Sequence, residues 1–546
     1  MKNSKKVISA VVAMLMVFSF ASCGNSDSGS SNTNLGAVLE TSAVQDENKT
    51  TEITNIETPV TTKETTPEVV NPVEQSVEKT QSVFEYTTGA DGKLIITGVN
   101  GQYESIDIPS KIDGKTVTAI GERAFYSFEN LKSVTIPDSV VRIDKDAFRL
   151  CTNLTSIKIP GSVKELGECT FSDCKNLKNI TLSNGIETIG RFTFWNCTSL
   201  DNVTIPNSLT TINDGAFEEC TSLSSIKIPK SVTQIGDMNP FASCTSLNTI
   251  EVESGSTSFC VVDGVLYTKD MLLAIACEHD ITSITLPNSV VSFCDGAFKN
   301  CSKLKKVSLS KNLISISHWT FSGCTSLESM TIPAGVEYIG HSSFSDCQKL
   351  TSIKVFENNE KYCDIDGVVY SKSKSELIAF PSGKASVKIP NTVKKINDCA
   401  FSGANVLKEV SIPNSVTSIG EWSFFNCSSL VKIDLPNSVT SIGDCAFENC
   451  KSLKNVVIPN TVKSINYNTF ANCTSLASIT IPNSVESIGY FAFQNCTSLK
   501  ALIIPESVKT IEDYAFTGCT DLKKVTYPSW VTDKIISRLF YEIEHK

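Results

Sequence analysis

A phenylalanine returns every 23 residues through most of this chain, and that period constrains the fold more than anything else in the sequence. Fifteen Phe, from Phe125 through Phe148, Phe171 and Phe194 to Phe516, fall in one column. Of the fourteen gaps between them, eleven are 23 residues, one is 24 and two are 57. Each gap of 57 is a normal unit plus 34 residues, so two longer units are interleaved, near 247–285 and 350–388. A Leu column runs six residues behind the Phe column, from Leu131 to Leu522. Fixed periods of this length belong to repeat arrays, in which each unit is too small to close a core alone and stacks on its neighbours. With 41% hydrophobic residues the array has enough apolar surface to do so. A set of independent globular domains is excluded.

One unit spells out its local structure. Leu131-x-x-Val134-x-Ile136 places Val134 and Ile136 on one face and Thr135 on the other, a short strand. Pro137 lacks an N–H for the ladder and ends the strand, and Asp138-Ser139 turn the chain. Val140 and Ile143 indicate a second extended stretch, and Ala147, Phe148 and Cys151 sit at the spacing of a helical or 3₁₀ turn aimed inward. The expected fold is a repeat solenoid of about 17 strand-rich coils of 23 residues with short helical turns, capped at both ends. At the start, Asp91-Gly92 between apolar runs marks a hairpin. At the end, Ile535, Ile536, Leu539, Phe540 and Ile543 form one helix face behind Thr532.

The first residues are a different polymer. Lys2, Lys5 and Lys6 precede an apolar run from Val7 to Phe20, too short to span a bilayer and readable as an export signal. The run ends in Phe20-Ala21-Ser22-Cys23, which resembles the lipobox of bacterial lipoproteins, so residues 1–22 read as a lipoprotein signal peptide and Cys23 as the lipid attachment site. Residues 23–82 read as a disordered acidic Ser/Thr/Pro tether: from 24 to 82 there is no aromatic residue, and ten acidic residues stand against three Lys. The solenoid follows over 83–527, then a helical cap over 528–546.

The repeat residues resemble the BspA-like leucine-rich repeat family. The stretch Ile-Pro-Asn-Ser-Val-Thr-Ser-Ile-Gly-x-x-x-Phe-x-Asn-Cys-x-Ser-Leu at 412–430 carries that resemblance, which covers residues 84–527. The long units, Val262-Asp263-Gly264-Val265-Leu266-Tyr267 and Ile365-Asp366-Gly367-Val368-Val369-Tyr370, look like its variant repeat. Ser139 stands where the generic leucine-rich pattern has an Asn ladder, which points to a flatter, strand-rich coil. The resemblance implies a bacterial surface protein, in some members an adhesin for host matrix or other cells, and no catalytic activity.

Chemistry is sparse. The net charge of −10 argues against nucleic acid as a partner, since phosphate contacts need clustered Lys and Arg. Thirteen of the 21 Cys form a ladder three residues after the Phe column, and Phe128 and Ala404 fill the same slot elsewhere. Apolar replacements mean the slot wants a small buried group, so these read as core thiols rather than disulfides or metal ligands. No C-x-x-C, no Gly-x-Ser-x-Gly and no Gly-rich phosphate loop occurs, and Asp364-x-Asp366-Gly367 reads as a hairpin turn rather than a calcium loop. No cofactor, metal or catalytic residue is expected. His318 and His341 stand one coil apart without a third ligand.

One column departs from the polar average. Two residues before the Phe column stand Trp319, Trp422, Phe491 and Tyr514, and beside it His318, His341, Tyr467 and Tyr490. Rings at one place on successive coils form a stripe able to grip a protein or a glycan, with Tyr467, Tyr490, Phe491 and Tyr514 as the main group and His318, Trp319 and Trp422 next. The alternative is side chains lying over the coil edge. The expectation is a non-enzymatic, lipid-anchored protein on the outer face of a bacterial cell membrane, binding an extracellular macromolecule, protein or glycan, in adhesion to host matrix or other cells; glycan capture for nutrient uptake is the alternative.

Overall fold

A computed structural model describes residues 83–539. The signal peptide, Cys23, the whole tether, and Phe540 and Ile543 of the terminal helix lie outside the described residues. The array is a solenoid of about 19 turns of about 23 residues. Part of the excess over the 17 counted from the Phe column comes from the start, where Ser105–Asp107 already ladders in parallel onto Ser133–Thr135 and Lys115–Ile120 onto Arg142–Ile143.

Each regular coil has three sides. A longer strand such as Ser156–Ile159 pairs in parallel with its equivalent Asn179–Leu182 in the next coil, Ile157 facing Ile180. Its alternation is strict: Ile157 and Ile159 are buried while Ser156 and Lys158 face out. After the Pro and a turn, a two-residue strand such as Glu165–Leu166 pairs with Thr188–Ile189. The third side carries the Phe.

That third side corrects the expected helical turn. Among the described residues the one helix is Asp533–Leu539, and the Phe segments are consecutive tight turns. In nearly every coil the residues two before and two after the Phe are left-handed, as at Asp146 (φ 55°) and Leu150 (φ 63°). Alternating right- and left-handed residues keep the segment flat, so its amides point along the stack instead of into a helix: Phe148 N–H donates to the Thr170 carbonyl one coil on, and Leu150 N–H to Ser172. After the Phe this position holds Asn or Gly in nine coils (Asn196, Asn300, Gly323, Gly403, Asn426, Asn449, Asn472, Asn495, Gly518), the residues that accept positive φ at least cost.

The interior is the Phe stack. Rings from Phe125 to Phe241 lie face to face with centroids 4.8 to 5.8 Å apart, and a second run extends from Phe401 to Phe516. Cys151, Cys174 and Cys197 are completely buried behind the rings. Twelve ladder thiols donate to the carbonyl of the Phe one coil earlier, for example Cys197 Sγ to Phe171 O at 3.2 Å. The slot therefore does take a partner, a backbone oxygen, and that is what Cys supplies and Ala404 cannot. The thirteenth, Cys301, corrects the uniform reading: it is joined to Cys277 of the first long unit.

Both long units replace the Phe turn by an antiparallel hairpin. Phe259–Val262 pairs with Val265–Thr268 across Asp263-Gly264, and Tyr362–Ile365 with Val368–Ser371 across Asp366-Gly367; both dipeptides have two successive positive φ, as a type I′ turn requires. Three buried clusters result, over 84–294, 265–369 and 368–539, which meet at the hairpins. The ends are covered as expected. Phe84–Thr88 pairs antiparallel with Leu94–Val99, and the terminal helix lays Leu539 over the last coil, its carbonyl accepting from Phe516 N–H.

Candidate functional site: an aromatic and acidic edge

The column two residues before each Phe occupies a left-handed turn position, and the column before that leads into it. The edge they form is exposed in the C-terminal half. Trp422, Tyr467, Tyr490 and Tyr514 are exposed, with Tyr490 at 46%; Phe491, His318 and Trp319 are half-buried. Phe491 and Tyr514 stack at 5.4 Å and 8°, and Tyr467 meets Phe491 edge-on at 6.1 Å. The stripe expected at Tyr467, Phe491 and Tyr514 thus exists as ring contacts. Trp422 (φ 49°), Phe491 (φ 55°) and Tyr514 (φ 61°) hold these positions although a large side chain there costs roughly 1–2 kcal/mol relative to Gly. Gly215 and Gly296 fill the same position in other coils.

His318 and Trp319 form a separate group. The His318 ring stacks on His341 at 5.1 Å and 3°, accepts through Nδ1 from His341 N–H at 3.0 Å, and meets the Tyr338 hydroxyl through Nε2 at 3.0 Å. Burial, then the neighbouring His341, pulls its pKa down to about 4, so it is neutral at pH 7. With both nitrogens engaged, His318 is a packed residue rather than a metal ligand.

Acidic residues complete the edge, and aromatic content alone does not reveal them. Asp398, Glu421 and Asp444 continue the His318 column, with Glu448 one turn away. Burial first, then Asp398 and Asp444, push the Glu421 carboxyl above its usual range. Glu448 is likewise raised by burial. In the N-terminal half the same column alternates in sign and neutralises itself: Lys145 pairs with Glu168 at 3.5 Å and Arg191 with Asp214 at 3.2 Å. From Asp398 to Glu448, among the described residues, no ion pair forms on the edge. Aligning the coils by their Phe makes this charge change visible in sequence.

The two long units part the edge differently. At the first, the flanking turns close directly on each other: Asn239 Nδ2 donates to Gly296 O at 3.1 Å and Asn300 Nδ2 to Ser243 Oγ at 2.9 Å. At the second, a small slot of about 50 Å³ remains between His341–Ser345 and Asp398–Ser402. Cys399 lies in it against Ser342, its thiol raised to about 11 by burial and therefore protonated. Among the described residues no group of three or more His, Cys, Asp or Glu is placed to hold a metal.

The model of the BspA-type leucine-rich repeat region matches residues 118–248, 275–385, 379–474 and 440–545. The chain belongs to that family. BspA-type coils thus account for the 23-residue period and cover the second long unit, while residues 249–274 of the first fall between two matches. Among solved structures, a leucine-rich cell-surface protein from Faecalibacterium prausnitzii A2-165 is 27% identical, with 84% of this chain and 97% of that one covered and a TM-score of 0.36. A leucine-rich repeat protein from Bacteroides ovatus is 25% identical, covering 82% and 100%, with a TM-score of 0.34. A pneumococcal vaccine antigen is 22% identical, covering 84% and 94%, with a TM-score of 0.34. No curated protein matches the chain. Among the described residues no helix is long and apolar enough to cross a membrane.

Proposed function

We propose that this BspA-type protein is a non-enzymatic binding protein of the bacterial cell surface, tethered by lipid on Cys23, that adheres to an extracellular macromolecule through the aromatic edge. The carrying observation is the ring group of exposed Tyr467 and Tyr514 around half-buried Phe491, with Phe491 and Tyr514 held at left-handed backbone positions that favour small residues. Exposed aromatic patches bury large area at little entropic cost when a partner covers them. The polar outer strands, with Lys158, Thr181 and Thr204 in one row, support many weak contacts along the stack. Stacked rings also suit the flat faces of sugars, and this keeps glycan capture as a second reading.

Binding of the full chain to immobilised matrix proteins and to a polysaccharide array tests the reading. Tyr490→Ala with Phe491→Ala is expected to weaken whichever interaction is found; unchanged binding on both surfaces rejects the edge. Cys23→Ala is expected to leave the precursor unprocessed or release the protein to the medium. Normal processing with membrane retention rejects the anchor.

A further inference from the structure

We infer that the edge between Glu421 and Tyr514 docks a cationic peptide segment, one presenting Arg or Lys side chains, on the macromolecular partner. The inference rests on the reading of the aromatic edge as the binding surface and adds the chemistry of what it binds. Three observations carry it.

The fold itself shows what a charge on this edge pairs with. Coils stack at about 4.8 Å, so residues in one column on successive coils lie within ion-pair reach, and in the N-terminal half Lys145–Glu168 and Arg191–Asp214 use that reach. In the C-terminal half the basic rungs are replaced by Glu421, Asp444, Tyr467 and Tyr490. Asp398 Oδ1 accepts from the Glu421 N–H at 3.0 Å, which sets the two acidic residues side by side, and burial first, then Asp398 and Asp444, push the Glu421 carboxyl above its usual range. Lys395 and His341 relieve Glu421 in part, and Arg538 is engaged by Asp513 at the far end. No internal cation answers Asp444 or Glu448 among the described residues. Asn468 Nδ2 donates to Glu448 Oε2 at 3.4 Å, a neutral partner that leaves the carboxylate charge to be met by a cation from outside.

Aromatic faces stand between these carboxylates. Trp422 is next to Glu421 in sequence, Tyr467 follows Asp444 in the same column, and the Glu512 carboxylate raises the pKa of the neighbouring Tyr490 hydroxyl. A guanidinium or ammonium over a Trp or Tyr face, with a carboxylate at its rim, satisfies both its charge and its flat apolar surface. The same arrangement already occurs inside the molecule, where the Arg123 guanidinium lies 5.3 Å from the Tyr126 ring centroid and also pairs with Asp146. A neutral glycan would use the rings but would leave the crowded carboxylates unneutralised.

The test uses the folded full chain on a biosensor, with an oligo-arginine peptide as probe and an oligo-serine peptide and a neutral glucan as comparators. Glu421→Gln with Asp444→Asn is expected to weaken oligo-arginine binding about tenfold, and Trp422→Ala with Tyr467→Ala by a similar factor. Glu129→Gln with Glu251→Gln removes the same charge from surfaces far from the edge and is expected to change nothing; circular dichroism verifies that all variants are folded. Equal weakening by this control, or wild-type affinity in both edge variants, overturns the inference. If the glucan binds, loses affinity only in Trp422→Ala with Tyr467→Ala, and oligo-arginine binding follows bulk charge, the cationic partner is wrong while the aromatic edge stands. If the ring substitutions affect no ligand, both fall.

Discussion

A buried thiol that donates to a Phe carbonyl does more than fill space. Burial raises the Cys151 thiol from the ordinary 9.0 to about 12, and the deeper rungs are raised further still. The folded state therefore holds protons that an unfolded thiol releases near pH 9. Stability from this source is complete below about pH 9 and drains as pH climbs toward about 12; at about pH 10 the loss is about 1.4 kcal/mol per thiol. Alkaline unfolding is thus expected well below the folded-state values, because a dozen small losses add along the stack. Replacing Cys450 and Cys473 by Ala should reduce the slope of stability against pH by about one proton per thiol, measured by denaturation across that range. An unaltered slope would show that the ladder does not titrate as a unit. At pH 7 the same substitutions should cost about 1–2 kcal/mol each, from the lost donor and the lost volume. A backbone counterpart exists at Gly403 (φ +72°), where an added Cβ would meet the Asp346 amide nitrogen at 2.5 Å. Gly403→Ala should destabilise, whereas Asn449→Gly (φ 61°) should be nearly neutral.

At the scale of one coil, the Phe is the key contact because it touches the units on both sides. Phe194 lies 5.6 Å from Phe171 and 5.1 Å from Phe217, so Phe194→Ala removes two ring contacts and opens a cavity, at a cost of about 3–5 kcal/mol. Phe344 has a column ring on one side only, Phe321 at 6.1 Å, because the second hairpin follows. Phe344→Ala should cost less, and urea midpoints of the two variants compare them directly. The hairpins carry their own weakness. Tyr267 and Tyr370 are fully buried, and neither hydroxyl has a hydrogen-bond partner. Tyr370→Phe removes an unpaired polar group and should leave stability equal or raise it by about 1 kcal/mol; a loss of that size would reveal a bound water.

Across the whole array, the hairpins divide the apolar interior into three clusters. Solenoids transmit stability through nearest neighbours, so each cluster should open as its own unit. Hydrogen exchange is expected to show protection falling over residues 84–241 in Phe194→Ala while the amides of 401–516 keep theirs. A uniform fall over all three clusters would mean a single cooperative block. The same division separates the two halves of the edge: ion-paired before the first hairpin, aromatic and acidic after the second.

The 23-residue period, the strand ending at Pro, the inward Phe, Leu and Cys, and the hairpins at Asp-Gly were all legible in the chain, because each follows from local sterics or from which side chains avoid water. Tyr467 and Tyr490, and beside them Phe491 and Tyr514, were legible as two neighbouring columns for the same reason: equal spacing on a regular stack means adjacency. The helical turn around Ala147-Phe148-Cys151 was misread because i, i+1 and i+4 spacing suits a helix as well as a run of flat turns, and the choice falls to amides that bond to the neighbouring coil. No residue in a single unit encodes that neighbour. For the same reason the pairing of Cys301 with Cys277, the engaged nitrogens of His318 and the crowding of Glu421 between Asp398 and Asp444 emerge only when coils are laid on one another.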